Sequence, residues 1–435
     1  MDLMSAGFAE DHRERLMRVA RDFGTPTYVY DADIVLARVK ELERLFGDRF
    51  AISYAVKANP NLALLRVLDQ NVAAFDASSL GEVERVLEIG CHPDRISFSG
   101  PAKRPFEIEG AVHACIGELV LESLAEAEIA DRVAQEAGLI QRVLIRLNPS
   151  TRPRPRRVGM SFAGRPTQFG IDEEVMEDAI DRVRAMPGLE LVGFHIFAGV
   201  NGLDAGAVAK NFTISANLFR KAIAYADGVA IRKLVFGSGF GLPYTSTDLP
   251  LDVQAVADTV LPEMEALKAE PRLEQAEFVL ELGRWIVGPA GWLLTSVVAE
   301  KHSRGVDFRA CDTGFNNHLA ACGMMGTVIR RNWRFANLSN PRGQEGRYTL
   351  VGPLCTSIDV LARDLPLPEI HVGDVIAVEN SGAYGLTASP SRFISHPEAA
   401  EVLVADDYAV DVTETPRPRR TFGPTSTRAP RHAAE

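Results

Sequence analysis

Short apolar runs alternate with amphipathic segments along residues 32–262. The apolar runs are rich in β-branched and aromatic residues, which is typical of buried strands, and the charged segments between them have the periodicity of helices. Roughly eight alternations favour a (β/α)8 barrel, an α/β fold, over an open doubly wound sheet. The predicted barrel strands are residues 49–57, 72–78, 95–100, 118–123, 142–148, 191–197 and 233–239.

The pattern changes after about residue 275, where strand-like runs separated by turns replace the helices. These runs predict a second, mostly β domain. A helix at residues 10–23 and a strand at 25–31 precede the first barrel helix, and we expect this strand to join the β domain because it has no evident partner in the barrel. The predicted division is a barrel over 32–265, a β domain over 1–31 and 266–415, and a disordered, Pro- and Arg-rich tail over 416–435.

Composition and charge limit the classes of function. The 435 residues are 46% hydrophobic and 24% charged, which is ordinary for a globular protein. A net charge of −11 argues against a general nucleic-acid binder, which needs a basic surface. The five cysteines include no C-x-x-C pair and predict neither a disulfide framework nor a bound metal, as in a reduced, cytoplasmic protein. With no secretory peptide and no apolar stretch near the roughly 20 residues that cross a bilayer, we expect a soluble protein without a membrane partner.

The first chemically suggestive residue is a lysine at the carboxyl end of a predicted barrel strand. Lys57 ends the run AISYAVK and precedes Asn59 and Pro60, which interrupt regular structure. The carboxyl ends of barrel strands form the mouth in which (β/α)8 enzymes carry out their chemistry. Taken alone, Lys57 is more simply a surface lysine at the end of a strand, and only the rest of the chain reverses that interpretation.

Two further motifs offer groups for an anion and for a heteroaromatic ring. The turn GSGFG at residues 237–241 follows a strand, and closely spaced small residues let backbone N–H groups approach a phosphate. Its spacing does not match the dinucleotide-binding pattern. Glu281, in ELGRWIV, is suited to keeping a pyridine nitrogen protonated, although an ordinary ion pair with Arg284 is the simpler interpretation without context.

Three other residues have both a structural and a chemical interpretation. His195 lies in the apolar strand GFHIF, where it is either a core histidine or a flat ring that stacks on a cofactor. Cys355, in GPLCTSID, is either a buried thiol or a loop thiol that delivers a proton. Tyr384 lies between small residues in GAYG, where its hydroxyl is able to reach a phosphate or an oxyanion.

Eight segments in order resemble the fold-type III decarboxylases that depend on pyridoxal 5′-phosphate (PLP), the family of diaminopimelate, ornithine and arginine decarboxylases. The segments are YAVKANPN, FDASSLGEVE, RLNP, GFHIF, GSGFGLPY, ELGRWIV, GPLCTSID and SGAYG. The resemblance covers roughly residues 25–405. It implies an enzyme that removes the α-carboxylate of an amino acid, with Lys57 carrying PLP as an imine.

The same resemblance implies the other roles at the site. His195 stacks on the cofactor ring, and Glu281 meets the pyridine nitrogen. Cys355 is the second catalytic residue and enters the active site of the neighbouring subunit, which implies a homodimer with composite sites. The residues that hold the cofactor phosphate are Gly237, Ser238, Gly239, Arg284 and Tyr384.

The chain departs from the diaminopimelate branch at several positions. Phe197 replaces a histidine of that branch, and Thr356 replaces the acidic residue that follows the cysteine. These departures point away from diaminopimelate, ornithine and arginine. The segments HIFAG, FNNHLAACG, GPLCTSIDVLA and SGAYGLTASPSRFISHP instead resemble a subgroup whose best-understood type decarboxylates a glutamyl group tethered to an acyl carrier protein. We therefore expect a derivatised substrate, a carrier protein as a candidate partner, and a pocket around Asn316, His318 and Thr356 that contacts the distal end of the substrate.

Three alternatives stay open. The first is a decarboxylase of a free amino acid such as diaminopimelate or ornithine. The second is a PLP-dependent amino-acid racemase, although racemases of the related barrel place an arginine where this chain has Glu281. The third is a non-catalytic PLP-binding protein, although such proteins are a single barrel, whereas this chain has a long β domain that contains Cys355.

Overall fold

The structure is a computed structural model that describes residues 10–150, 160–161, 166–197, 199–324 and 330–414. The predicted tail at 416–435 lies outside these residues. In this part of the chain, no helix has the length and apolar character needed to cross a membrane. The strands are β1 (Thr27–Asp31), β2 (Ala51–Ala55), β3 (Ala74–Ala77), β4 (Ile96–Phe98), β5 (Glu118–Leu121), β6 (Gln141–Asn148), β7 (Met160–Ser161), β8 (Ile171–Asp172), β9 (Leu189–Phe197), β10 (Gly199–Val200), β11 (Lys233–Gly237), β12 (Glu277–Leu282), β13 (Gly291–Ser303), β14 (Val306–Cys311), β15 (Phe335–Asn337), β16 (Glu345–Val351), β17 (Val360–Pro368), β18 (Val375–Val378), β19 (Ala400–Ala405) and β20 (Tyr408–Asp411). The α-helices are α1 (Glu10–Phe23), α2 (Ala32–Phe46), α3 (Leu62–Asp69), α4 (Leu80–Glu88), α5 (Pro105–His113), α6 (Leu124–Glu136), α7 (Met176–Arg184), α8 (Ala205–Tyr225), α9 (Val253–Lys268) and α10 (Arg284–Val287).

Eight parallel strands close into a barrel. Hydrogen bonds connect them in the order β2, β3, β4, β5, β6, β9, β11 and β12, and β12 pairs with β2 to complete the ring. One α-helix, from α3 to α9, follows each strand up to β11, as right-handed connections between parallel strands require. The predicted (β/α)8 barrel with a second, mostly β domain is confirmed.

The last barrel strand is β12, which the sequence analysis assigned to the β domain. It pairs with β11 on one side and with β2 on the other. The barrel therefore extends beyond the predicted boundary at residue 265. A buried parallel strand and a strand of the β domain have the same apolar composition, so the pattern alone does not distinguish them.

The middle of the barrel interior is filled by apolar side chains, whereas polar side chains line the interior at the carboxyl ends of the strands. Side chains two residues apart point to the same side of a strand. Arg146 therefore follows Leu144 on the interior face, and Glu281 follows Val279. The apolar layer is a separate buried cluster of Val120, Leu144, Val192, Val235 and Val279, like the side-chain layers that fill such barrels.

The second domain is built around one large sheet. Its strands follow the order β17, β16, β14, β13, β1, β19 and β20, and β18 pairs with both β13 and β15. β1 pairs antiparallel with β13 and parallel with β19. The amino-terminal strand is therefore a member of this sheet.

The two domains meet beside the residues that follow β2. The side-chain amide of Asn59 donates to the carbonyl oxygen of Gly382 at 2.9 Å. The N–H of Tyr384 donates to the carbonyl oxygen of Ala58 at 2.8 Å. These two bonds fix a loop of the β domain against the barrel segment that carries Lys57.

Candidate active site

Lys57 lies just beyond β2, in a 3-10 turn over Val56–Ala58. Its Nζ is 3.4 Å from Asp76 Oδ2 and 3.5 Å from Glu281 Oε1. The side chain of Lys57 is 37% exposed, whereas the side chains of Asp76 and Glu281 are 4% and 3% exposed. The lysine is therefore the accessible member of a group whose carboxylates are buried.

The charges of Lys57, Asp76 and Glu281 change the pKa values within this group. Burial favours the neutral amine of Lys57, but the carboxylates of Asp76 and Glu281 outweigh burial and raise the pKa of Lys57. Burial and the charge of Glu281 raise the pKa of Asp76 to about 7, although Lys57 opposes this shift. Asp76 is thus able to take up and release a proton near neutral pH, beside the amine of Lys57.

Glu281 is held in its ionised form. Its Oε2 lies 2.7 Å from Nε2 of His195. Burial opposes ionisation, but Lys57 and the hydrogen bond from His195 outweigh it and lower the pKa of Glu281. Because an ionised carboxylate only accepts hydrogen bonds, Nε2 of His195 carries the proton and donates. The result is a fixed, buried negative charge at the mouth of the barrel.

The turn after β11 is closely packed. A Cβ on Gly237 would lie 2.0 Å from the ring of Phe197, and Gly239 has a φ of +65° with a backbone carbonyl oxygen 2.6 Å from where its Cβ would be. Only glycine fits these two positions. The N–H of Ser238 donates to the carbonyl oxygen of Glu281 at 3.0 Å, and the Ser238 hydroxyl oxygen accepts the N–H of Phe240 at 3.4 Å.

Arg284, the first residue of α10, adds a guanidinium to this end of the site. Its Nη1 donates to the hydroxyl of Tyr244 at 2.6 Å, and its Cζ lies 4.6 Å from the ring centre of Tyr384. The backbone of Tyr384 is in turn bonded to Ala58, next to Lys57. Arg284 has five N–H donors, and a glycine-rich turn with a guanidinium and hydroxyl groups is a suitable donor set for a phosphate.

Sequence reasoning gave no role to two charged residues of the barrel mouth, Asp76 and Arg146. Arg146 is 8% exposed, and its guanidinium bonds to Glu122 at 2.7 Å. The Arg146 Cζ lies 6.0 Å from the ring centre of Phe197. Both residues belong to recognised segments, FDASS and RLNP, near the carboxyl ends of β3 and β6. Their position at a strand end was the signal that identified Lys57 and would have identified them.

Cys355 lies in an exposed turn between β16 and β17. Asp359, at the end of this turn, is 3% exposed, and its two oxygens accept the N–H groups of Phe315 and Leu354, both at 2.9 Å. The carboxylate thereby fixes the Cys355 turn to a neighbouring loop. Among the described residues, no hydrogen bond or ion pair joins Cys355 to Lys57. The described part of the chain thus shows no polar contact between the two predicted catalytic residues.

Asn316 and His318, which were predicted to contact the substrate, are buried. They are 1% and 0% exposed. Asn316 Oδ1 accepts the N–H of Gly314 at 3.2 Å, and His318 Nε2 lies 3.1 Å from the hydroxyl of Ser381. Burial lowers the pKa of His318 to about 3, so its ring is neutral. Through this contact with Ser381, His318 supports the loop that contains Gly382. Of the three residues predicted to contact the substrate, the half-buried Thr356 keeps exposed surface.

This arrangement fits PLP. It offers an accessible lysine for the aldehyde, a buried carboxylate for the ring nitrogen, an imidazole beside that carboxylate, and donors for the phosphate. The family model described as "Pyridoxal-dependent decarboxylase, pyridoxal binding domain" matches residues 32–288. The chain belongs to this family. It is a PLP-dependent decarboxylase of amino acids.

Relatives of this decarboxylase cover nearly the whole chain. It is 31% identical over 389 residues to "L-glutamyl-[BtrI acyl-carrier protein] decarboxylase" of Niallia circulans. The aligned region covers 88% of this chain and 90% of the relative. It is 33% identical over 397 residues to diaminopimelate decarboxylase of Archaeoglobus fulgidus, with 90% and 91% covered. The crystal structure of diaminopimelate decarboxylase from Helicobacter pylori complexed with L-lysine matches with a TM-score of 0.81 at 28% identity and covers 92% of this chain and 96% of that chain.

Proposed function

We propose that this decarboxylase acts on a glutamyl group carried by an acyl carrier protein. The observation that carries the proposal is the uncharged surface beside Cys355. Thr356 is half-buried, and Ile358 and Phe393 are 54% and 44% exposed. Asp359 has both oxygens engaged by backbone N–H groups. A distal ammonium would find no partner here, and burying an unpaired charge costs several kcal/mol. A neutral thioester arm suits this surface.

The residues around Lys57 divide the chemistry among them. When bound, PLP supplies the electron sink for the electron pair left as the α-carboxylate departs as carbon dioxide. Lys57 Nζ would bind the cofactor, and Asp76 Oδ2 would accept the proton that Nζ gives up. Glu281, oriented by His195, would hold a proton at the ring nitrogen. The residues that would hold the phosphate are Gly237, Ser238, Gly239, Arg284 and Tyr384.

The thiol of Cys355 returns a proton to the α-carbon from the neighbouring subunit of a homodimer. This part of the proposal rests on the exposure of Cys355 and on the absence, within the described residues, of a hydrogen bond between Cys355 and the Lys57 cluster. Mixing Lys57→Ala and Cys355→Ala proteins under conditions of subunit exchange tests it. In the mixed dimer one of the two sites contains both residues, so activity should partly return. No recovery after demonstrated exchange would show that the sites are not composite.

The substrate proposal is tested by comparing kcat/KM for five compounds. These are the L-glutamyl thioester of an acyl carrier protein, free glutamate, meso-diaminopimelate, ornithine and arginine. We expect the carrier thioester to be preferred by at least about a hundredfold, because a neutral site rejects charged analogues by several kcal/mol. Efficient turnover of diaminopimelate or ornithine would contradict the proposal.

Diaminopimelate is the second candidate substrate. Diaminopimelate decarboxylases resemble this chain as closely as the carrier-dependent relative does, and their solved structures share its whole fold. Against this candidate, the position after Cys355 is Thr356 rather than an acid, and Asp359 is not free to bind an amine.

A further inference from the structure

Arg330 and Arg363 form a pair of like charges beside the Cys355 turn. The guanidinium of Arg330 is half-buried and donates to the carbonyl oxygen of Val360, the first residue of β17. Arg363 lies further along β17 and is exposed, and its N–H donates to Asn332 at 3.0 Å. Burial and the charge of Arg363 both lower the pKa of Arg330. Arg330 therefore binds the backbone of β17 three residues before Arg363, which places two like charges at the same strand.

This arginine pair lacks a counter-ion within the described part of the chain. Asp364, the nearest acid in sequence, is engaged by Arg347 through bonds of 2.6 and 2.7 Å. The undescribed residues 325–329, next to Arg330, contain no acid. The whole chain has 58 acidic and 47 basic residues. Acidic residues are therefore not scarce in this protein, although none pairs with these arginines in the described structure. Two neighbouring positive charges without an anion are unfavourable, and an anion from another molecule would relieve them.

The position of the pair connects it to the active site. Val360 follows Asp359 directly, and Asp359 holds the turn that carries Cys355. Trp333 is three residues after Arg330 and stacks on Tyr244 with ring centres 4.2 Å apart. The hydroxyl of Tyr244 in turn accepts a hydrogen bond from Arg284. The pair is therefore linked through β17 to the end of the Cys355 turn, and through Trp333 and Tyr244 to Arg284.

We propose that Arg330, Arg363 and the neighbouring Arg331 form the docking surface for an acidic carrier protein that delivers the substrate. Arg331 is 51% exposed and has only a long contact of 3.6 Å to Asp248 in the described structure. The inference rests on the proposed function. The basic surface attracts and orients the carrier, and the uncharged surface at Thr356 receives its neutral arm. A charged patch beside a binding site chiefly raises the association rate of an oppositely charged partner.

The test uses the Arg330→Glu/Arg363→Glu variant and two substrates. One is the L-glutamyl thioester of an acidic acyl carrier protein, and the other is the L-glutamyl thioester of free pantetheine. We expect the ratio of kcat/KM for the carrier-linked to the pantetheine-linked substrate to fall by about tenfold or more at low ionic strength. Added salt should lower this ratio for the unmodified protein and leave it nearly constant for the variant. Fluorescence anisotropy of the labelled carrier without substrate measures docking independently of turnover.

Two further variants serve as controls. Arg21→Glu/Arg342→Glu makes the same change in net charge at arginines that are 71% and 88% exposed, and should leave the ratio unchanged. Arg330→Gln/Arg363→Gln avoids a buried carboxylate and should show a smaller loss in the same direction.

Four results would overturn the proposal. They are an unchanged ratio in the charge-reversed variant, an equal loss in the surface control, dissociation of the dimer by the charge reversal, and a loss confined to free amino acids. The third result would mean that the pair faces a second copy, and the fourth that it binds a substrate carboxylate. Failure of the proposed function would give a different result from failure of the docking proposal. The unmodified protein would then turn over neither thioester, and fluorescence anisotropy would still show whether the carrier docks.

Discussion

Asp359 is the residue whose replacement most specifically tests how the Cys355 turn is held. Both of its oxygens accept backbone N–H groups at 2.9 Å, one from Phe315 and one from Leu354. A Cβ on Gly314 or Gly352 would lie 2.1 or 2.2 Å from these oxygens, so the two glycines leave the space that the carboxylate occupies. In Asp359→Asn, one acceptor becomes an N–H donor that faces another donor.

The size of the effect follows from the bonds lost. A hydrogen bond to a charged group contributes about 1.5–3 kcal/mol. The variant loses one such bond and weakens the other, so we expect about 2–3 kcal/mol less stabilisation of the turn. This corresponds to roughly 30- to 150-fold in the equilibrium between the closed and open turn, at about 1.4 kcal/mol for each factor of ten.

Hydrogen–deuterium exchange reads this equilibrium directly, because an amide exchanges when its bond opens. We expect the N–H groups of Phe315 and Leu354 to exchange about 30- to 150-fold faster in Asp359→Asn. The kcat should also fall, because a misplaced proton donor loses about 10²-fold for a displacement of 1 Å.

Asp374→Asn is the matched control. Asp374 Oδ2 accepts the N–H of His371 at 2.9 Å and the side-chain amide of Asn337 at 3.2 Å, in the same domain but away from Cys355. This variant should accelerate exchange at His371 and leave kcat unchanged. Unaltered exchange at Phe315 and Leu354 in Asp359→Asn, or acceleration spread over the whole β domain, would refute the reasoning.

Two other predictions concern the carboxylates beside Lys57. Glu281→Gln should still bind PLP but lower kcat by about 10²-fold or more, because an ionised partner of the ring nitrogen contributes about 3 kcal/mol at the transition state. Carbon dioxide release at saturating PLP measures this, and near-normal turnover would assign the ring nitrogen to another group. Asp76 has a pKa raised from 3.8 to about 7, so its ionised form destabilises the fold above pH 7, and the penalty shrinks as the pH falls toward 3.8. Cofactor-free Asp76→Asn should therefore resist urea better than the unmodified protein at pH 8 and lose this advantage progressively below pH 7, and an advantage independent of pH would contradict the assignment.

The fold was largely predictable because barrel strands and helices differ in hydrophobic period. Seven predicted strands match barrel strands to within a few residues at their ends. The exception, β12, shows the limit of this reasoning. Its apolar run is compatible with either domain, and only its hydrogen bonds to β2 and β11 place it in the barrel.

The site was predictable to the extent that its residues stand at strand ends. Lys57 and Glu281 follow this rule, and Asp76 follows it as well but was overlooked. Asn316 and His318 show the opposite case. Both were predicted to contact the distal end of the substrate, but burial and the partner Ser381 make His318 a support of the β domain. Such contacts between segments distant in sequence are not visible in a local pattern.

The most direct measurement of the central claim is reduction of the PLP-loaded protein with borohydride, followed by peptide mapping. Lys57 is the accessible amine between two buried carboxylates, so the reduced cofactor should be found on the peptide that contains Lys57 and should be absent from Lys57→Ala. A label on another lysine, or a protein that binds no PLP, would contradict the assignment of this cluster as the active site.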